Sequence, residues 1–280
     1  MAPSAALILY FPDTTTAADR DRLVALLADS GLVAIHEDDV VNPSRWTVHF
    51  ADQESRKAAA HAIGSLSEYR DLRVEETEIA DEDWARKTQA DLGAIRIGQI
   101  IVAPPWDIPA ASQGIVIIIE PSRGFGTGHH QSTRLCLALL QTRELRGRQV
   151  IDVGTGSGVL AIAAARLGAP YVAAIDVDPD AVENARENAV RNEVAQAVEI
   201  FVRDLSTTTL PAADLVTANL TGSLLERHAR DLARLVKPGG VLIAAGFTID
   251  ERDRVASAFE GRLTITESAE EDGWIGLVLS

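Results

Sequence analysis

The stretch from Val150 to Asp178 dictates the architecture around it. An apolar run ending in Asp152 is followed by Gly154-Thr155-Gly156-Ser157-Gly158, then by small apolar residues, then by a second apolar run from Tyr171 to Ile175 that closes on Asp176. The pattern predicts strand, tight turn, helix and strand, the unit from which parallel sheets are built. Glycine at every second position lets the backbone turn sharply and lets a ligand lie against the main chain with no side chain between. The turn delivers the chain into a helix N-terminus, whose free N–H groups and dipole favour electron-rich groups. Asp176 follows at the distance where a strand-end carboxylate accepts hydrogen bonds from ribose hydroxyls. Together these features point to a nucleoside crevice; a glycine-rich turn that holds nothing is the plainer alternative.

A dinucleotide fingerprint would space its glycines G-x-G-x-x-G, seating a pyrophosphate on the helix N-terminus. Here the spacing is G-x-G-x-G, and Asp152 just before it suits a cationic ligand better than a pyrophosphate. The spacing therefore argues against a nicotinamide-dependent oxidoreductase. The turn resembles motif I of the class I methyltransferases, which bind S-adenosylmethionine through just such a segment.

At 280 residues, 46% apolar and 24% charged, the chain has the size and composition of one large globular domain with a small one beside it. Its formal charge of -15 repels phosphate backbones, so no direct nucleic-acid binding is expected and a basic protein is the better partner. Acidity that merely keeps the chain soluble is the bland alternative. The single cysteine, Cys136, excludes an internal disulfide framework and agrees with a cytoplasmic location. No stretch is long enough to cross a bilayer, and Ala5 to Phe11 lacks the cationic flank of a signal peptide.

Residues 5–11, 32–36, 46–50 and 72–77 read as strands, and 17–28 and 54–66 as helices, with a turn at Asn42-Pro43. This βαββαβ order predicts a small ferredoxin-like α+β domain over residues 1–79. It carries no chemical cluster: His36, His49 and His61 are scattered, and Trp46 reads as core. By elimination the domain recognises a partner. Asp81-Glu82-Asp83 open a predicted linker helix within 80–95, and 96–280 forms the large domain. There Ile97 to Val102 and Ile115 to Ile119 suggest an antiparallel hairpin joined through Pro104-Pro105-Trp106. Trp106 is a candidate for lining a site or for a structural role. Further strands are expected at 198–202, 215–218, 241–245, 262–266 and 274–279. Asp178-Pro179 opens one helix, another stops at Lys237-Pro238-Gly239-Gly240, and a short one spans about 250–259.

The segment Glu120-Pro121-Ser122-Arg123-Gly124-Phe125-Gly126-Thr127-Gly128-His129-His130-Gln131-Ser132-Thr133 precedes an apolar helix. It concentrates glycines, hydroxyls and paired histidines at a helix N-terminus. Adjacent histidines rarely converge on one ion, so no metal site is expected. Thr133 sits where a hydroxyl either caps a helix or bonds a ligand. Together with Glu82-Asp83-Trp84, Pro104-Pro105-Trp106, the glycine-rich turn and Ala218-Asn219-Leu220, this loop resembles the PrmA family. These methyltransferases modify the eleventh protein of the large ribosomal subunit. The sequence departs from common family forms at Ser122-Arg123 before Gly124-Phe125, and at Thr221-Gly222.

The resemblance implies a class I Rossmann-like seven-stranded sheet, S-adenosylmethionine as cofactor and a basic ribosomal protein as substrate. It also implies roles for individual residues. Gly154 and Gly156 would carry the methionine portion, Asp176 the ribose, and Thr133, Thr127, Asp152 and Asn219 further cofactor contacts. Asn219 and Phe125 are the candidates at the reacting centre, Phe125 as an apolar wall. Asp204 is placed near the adenine or is simply an exposed strand-end carboxylate, and His129 is a weaker candidate as proton acceptor.

Methyl transfer from a sulfonium to an amine moves positive charge from sulfur to nitrogen, so the amine must arrive neutral and in line. Deprotonating a lysine of pKa ~10.4 at pH 7 costs about 4.6 kcal/mol, and an α-amine costs less. Alignment contributes about 7–11 kcal/mol, so no strong general base is required. Lysine side-chain or N-terminal amines of a ribosomal protein are the expected acceptors. Another protein lysine or a small amine on the same fold is an alternative, as is a non-catalytic partner protein that keeps the nucleoside pocket.

Overall fold

The computed structural model of the chain describes residues 4–12, 14–28, 30, 32–37, 44–50, 52–66, 69–79, 93–110, 113–120 and 130–280. Contacts divide the chain into two compact units, Met1–Asp91 and Leu92–Ser280. The turn expected at Asn42-Pro43, Phe125, Thr127, His129 and nearly all of the linker 80–95 lie outside the described residues; Ile95 already opens a strand.

The first unit runs β1 (Ser4–Tyr10), α1 (Ala17–Ala28), β2 (Leu32–Glu37), β3 (Arg45–Phe50), α2 (Gln53–Ser65) and β4 (Arg73–Ile79). Its sheet has the order β2-β3-β1-β4 with every pairing antiparallel, the ferredoxin-like arrangement. Strand alternation sends Leu7, Leu9, Trp46 and Val48 into a core that meets Leu23 and Leu27 of α1 and Ile63 of α2. Asp52 caps α2, its carboxylate accepting the Ser55 N–H at 2.7 Å.

The second unit opens with β5 (Ile95–Ile97), β6 (Ile100–Ala103) and β7 (Ile115–Ile118). The hairpin expected between 97–102 and 115–119 is not formed. The tight antiparallel pair is β5 with β6, and β6 pairs β7 in parallel. Gly98, at φ +57°, turns the chain inside what reads as one apolar run, and that turn leaves the other edge of β6 for β7.

Then follow α3 (Gln131–Gln141), β8 (Gln149–Val153), α4 (Val159–Arg166), β9 (Tyr171–Asp176), α5 (Pro179–Arg191), β10 (Val198–Val202) and β11 (Ala213–Asn219). The chain ends with α6 (Gly222–Arg234), β12 (Val236–Thr248), a 3-10 turn (Ile249–Glu251), α7 (Arg252–Ala258), β13 (Ile265–Glu271) and β14 (Trp274–Leu279). The seven-stranded sheet has the order β10-β9-β8-β11-β12-β14-β13, parallel through β12, and β14 pairs antiparallel with both β12 and β13 and so runs against the other six.

This is the class I methyltransferase sheet. From β8 the chain proceeds to β9 and β10 on one side and to β11 and β12 on the other. The order therefore reverses between β8 and β11, the place where ligands settle in open α/β sheets. Residues of α3, α4 and α5 bury one face, around Val150, Ala174, Leu215 and Ile243. Residues of α6 and α7 bury the other, around Ile151, Ala173, Val216 and Phe247.

Two boundaries differ from expectation. β12 starts at Val236 and takes in the Lys237-Pro238-Gly239-Gly240 stop signal, because Val236 pairs with Ala213 before the register shifts. The strand expected at 262–266 is centred later, at β13. As an edge strand rich in Glu267, Glu270 and Glu271 it buries no side chain fully, so it carries no apolar alternation to read.

Candidate functional site

The parallel strands end in an ordered row. Register pairs Val153 with Ile175 of β9 and with Ala218 of β11. One step further, Gly154 comes beside Asp176 on one side and Asn219 on the other. These three residues border a cavity of about 680 Å³ in the second unit. That volume is in the range of a site for a cofactor-sized molecule.

The glycine-rich turn is shaped by positive φ at Gly154 (+69°), Gly156 (+53°) and Gly158 (+83°). Its first N–H groups, of Gly154 and Thr155, donate to the Ile175 carbonyl at 2.9 and 3.1 Å. The Gly156 N–H donates to Oδ2 of Asp176 at 2.9 Å, and the Asp178 N–H to its Oδ1 at 3.1 Å. Asp176 is thus oriented by main chain on both oxygens, and each oxygen keeps a lone pair for a hydroxyl. A side chain at Gly154 would place its Cβ 2.4 Å from Leu220, and one at Gly246 would come 2.3 Å from the Leu220 carbonyl oxygen. These glycines let Leu220 close on the turn.

Asn219 donates through Nδ2 to Thr133 Oγ1 at 3.2 Å. Its Oδ1 is buried with no hydrogen-bond partner among the described residues. A buried acceptor without a donor costs about 1–3 kcal/mol, so this oxygen fits an N–H brought in by a ligand. Thr133 is fully buried at the start of α3, where it sets the orientation of the Asn219 amide. His130 caps that helix, its Nδ1 accepting the Ser132 N–H at 3.3 Å. Burial and the Arg134 charge hold the imidazole's pKa below its usual range. Its ring meets Trp274 edge to face, with centroids 4.4 Å apart.

Asp152 lies elsewhere. It is 1% exposed and is not among the residues that border the cavity. Its Oδ2 accepts Thr155 Oγ1–H at 2.7 Å and its Oδ1 accepts Thr217 Oγ1–H at 2.6 Å. Burial pushes the carboxyl up to about 6, against the pull of the two hydroxyls. At neutral pH it remains mostly ionised, a negative charge behind the turn.

Of the other expected residues, Asp204 borders the cavity, and its carboxylate is held below the ordinary range by the side-chain hydroxyl and backbone N–H of Ser206. Trp106 is 47% exposed and does not border the cavity. Sequence reasoning missed Val177, Leu205, His228 and Trp274, all of which do. Val177 and Leu205 each follow a strand-end aspartate, Asp176 and Asp204, and a ligand lying on those acids would touch them. His228 and Trp274 come from later elements and had no such signal. Among the described residues at the rim, the carboxylates of Asp176, Asp178 and Asp204 outnumber the arginine, Arg203, which suits a cationic guest.

The comparisons with known proteins agree with this geometry. The family described as ribosomal protein L11 methyltransferase (PrmA) matches residues 13–280. The ribosomal protein L11 methyltransferase of Symbiobacterium thermophilum is 36% identical over 247 residues, covering 85% of this chain and 80% of that protein. That of Pseudomonas aeruginosa is 37% identical over 232 residues, covering 80% of this chain and 76% of its own length. Among solved structures, a ribosomal protein L11 methylase from Lactobacillus delbrueckii subsp. bulgaricus is similar with a TM-score of 0.63 and 27% identity. It spans 68% of this chain and 98% of its own. A family match that runs from residue 13 to the last residue, over the strands and turn that build this cavity, shows that the chain belongs to the PrmA family of ribosomal protein L11 methyltransferases.

Proposed function

We propose that the chain methylates lysine side-chain or N-terminal amines of ribosomal protein L11, with S-adenosylmethionine as donor. The observation that carries this is the row Asp176, Gly154, Asn219 at the cavity, with a buried acceptor on Asn219 that has no donor among the described residues. S-adenosylmethionine supplies an electrophilic methyl group on a cationic sulfur. Asp176 would hold the ribose hydroxyls and the main chain at Gly154 and Gly156 the methionine portion. Val177 and Leu205 offer apolar surface beside Asp204 for the adenine. Asn219, steadied by Thr133, would accept an N–H at Oδ1. Asp152 and the rim acids favour the positive guest by field, and neutral His130 with Trp274 walls the side from which an amine would come.

Every described residue around the cavity belongs to the second unit. We assign residues 1–79 to recognition of the protein substrate, 80–95 to the connection and 96–280 to methyl transfer; Phe125 and Thr127 keep the roles that the family resemblance implies. The charge of -15 favours a basic substrate, and a cytoplasmic location goes with it. No helix among the described residues is long and apolar enough to cross a membrane. Incubating the protein with labelled donor and purified ribosomal protein L11 tests the proposal, with peptide mass spectrometry to locate the methylated amines. Label on lysine or the α-amine is expected. Donor binding with no transfer to L11 would overturn the substrate assignment.

A further inference from the structure

Resting on that function, we propose that Asn188 is a positioning residue that couples the donor-binding turn to the point where the chain leaves β7. Asn188 lies on α5, is fully buried and does not border the cavity. Its Nδ2 donates to the Ser157 carbonyl inside the glycine-rich turn at 3.0 Å and to Asn184 Oδ1 at 3.3 Å. Its Oδ1 accepts the Glu120 N–H at 3.0 Å and Arg191 Nη1–H at 2.9 Å. The amide therefore uses all its donor and acceptor capacity on groups from three segments.

The neighbours reinforce this link. Arg191 also pairs with the Glu120 carboxylate. Asn192 grips Ile118 on both main-chain atoms, accepting its N–H at 2.8 Å and donating to its carbonyl at 2.6 Å. Asn188 on α5 and Asn192 at its C-terminal cap thus replace a missing strand along the open edge of β7. Only Asn188 reaches on to the turn. Gly158 makes that reach possible, since even a Cβ there would lie 3.1 Å from the Ala185 side chain. Ser157 sits between Gly156, which donates to Asp176, and Gly158, so a shift at its carbonyl moves the N–H that orients the Asp176 carboxylate.

A buried network in which every group is satisfied has one low-energy arrangement, so displacement at one end is felt at the other. Asn188→Asp keeps the acceptor for Glu120 and Arg191 but sets a carboxylate oxygen against the Ser157 carbonyl. Asn188→Ala removes both links, and Asn192→Ala removes only the grip on Ile118.

The experiment measures donor Kd by calorimetry, kcat at saturating donor, and Tm for the full chain and the three variants. Asn188→Asp is expected to raise donor Kd about tenfold, the effect of losing one good hydrogen bond, with kcat changed less than about threefold. Asn188→Ala raises Kd and lowers kcat together. Asn192→Ala lowers Tm and leaves Kd alone. A folded Asn188→Asp with wild-type Kd, or an Asn192→Ala that raises Kd as much, would overturn the proposal, because a merely structural role affects Tm in all three.

Residue-resolved amide exchange on the unmutated protein gives a test that needs no variant to fold. Donor is expected to slow exchange at Glu120, which does not border the cavity; an unchanged Glu120 amide would sink the coupling. A wild-type chain that takes up no donor would be a different result, removing the function itself.

Discussion

Asp152 and Asp176 are the same residue on neighbouring parallel strands and on the same face of the sheet. They differ by one pleat repeat in depth. Register sets Asp152 opposite Ala174, two residues before Asp176, which puts it roughly 6–7 Å deeper. At the outer level the carboxylate meets the cavity and main-chain N–H groups. At the inner level it is buried, its carboxylate held by the Thr155 and Thr217 hydroxyls. One pleat thus separates a group that can touch a ligand from one that holds the wall and supplies charge. A glycine-rich turn is suited to join them, because it covers the inner acid while leaving the outer one open.

The two acids are expected to respond differently to substitution. The largest effect is expected from Asp176→Ala, which removes a charged acceptor for two hydroxyls at about 1.5 kcal/mol or more each. Calorimetry should show donor Kd rising about a hundredfold; a change below about threefold would place the ribose elsewhere. Asn219→Ala comes next, with kcat/KM expected to fall about tenfold to a hundredfold as the buried acceptor goes. Steady-state kinetics with the L11 substrate checks it, and Thr133→Val should reproduce part of the loss by freeing the Asn219 amide.

Asp152→Asn sharpens the contrast, because affinity and stability should move in opposite directions. The folded chain holds this proton more tightly than the unfolded chain, so Asp152 contributes stability that is complete below about pH 4 and lost as pH rises through about 6. Asparagine removes that loss. The variant's Tm should exceed that of the wild type most above pH 7, by an amount worth ~1–3 kcal/mol, and the two should converge near pH 4. Its donor Kd should rise severalfold with the lost negative charge. A Tm difference independent of pH would show that Asp152 is not the titrating group. The smallest effect belongs to Thr217→Val, which removes the 2.6 Å hydroxyl from Asp152 at a cost of about 1 kcal/mol at pH 8. The carboxyl should then titrate higher, seen as an upward move of the pH midpoint in the Tm profile.

What could be read from sequence follows the same division. Strand-turn-helix-strand around Gly154 to Gly158 was legible because local chemistry dictates it: glycines for positive φ, Asp178-Pro179 for a helix start, apolar runs for buried parallel strands. The ferredoxin-like order of the first unit was legible because its short apolar runs and helical segments follow one another as βαββαβ. Depth was not legible. Spacing shows that Asp152 ends an apolar run, but whether it faces a crevice depends on Thr217, which reaches it only through pairing of β8 with β11. His228 and Trp274 were invisible for the same reason, since they arrive from α6 and β14. β13 was misplaced because an acidic edge strand lacks the apolar rhythm that marks the others. The 97–119 region was misread because a turn at Gly98 looks like a single weak interruption in an isoleucine-rich run.

The row of Asp176, Gly154 and Asn219 is assembled from strands far apart in the chain, with β11 the last to be synthesised. No fragment ending before residue 219 contains the whole row, and during translation the donor would meet an incomplete site until that strand has left the ribosome and slotted in beside β8. Cofactor uptake would therefore report that the centre of the sheet has closed, and a donor analogue added to refolding protein would mark the late, cooperative end of assembly rather than its early collapse.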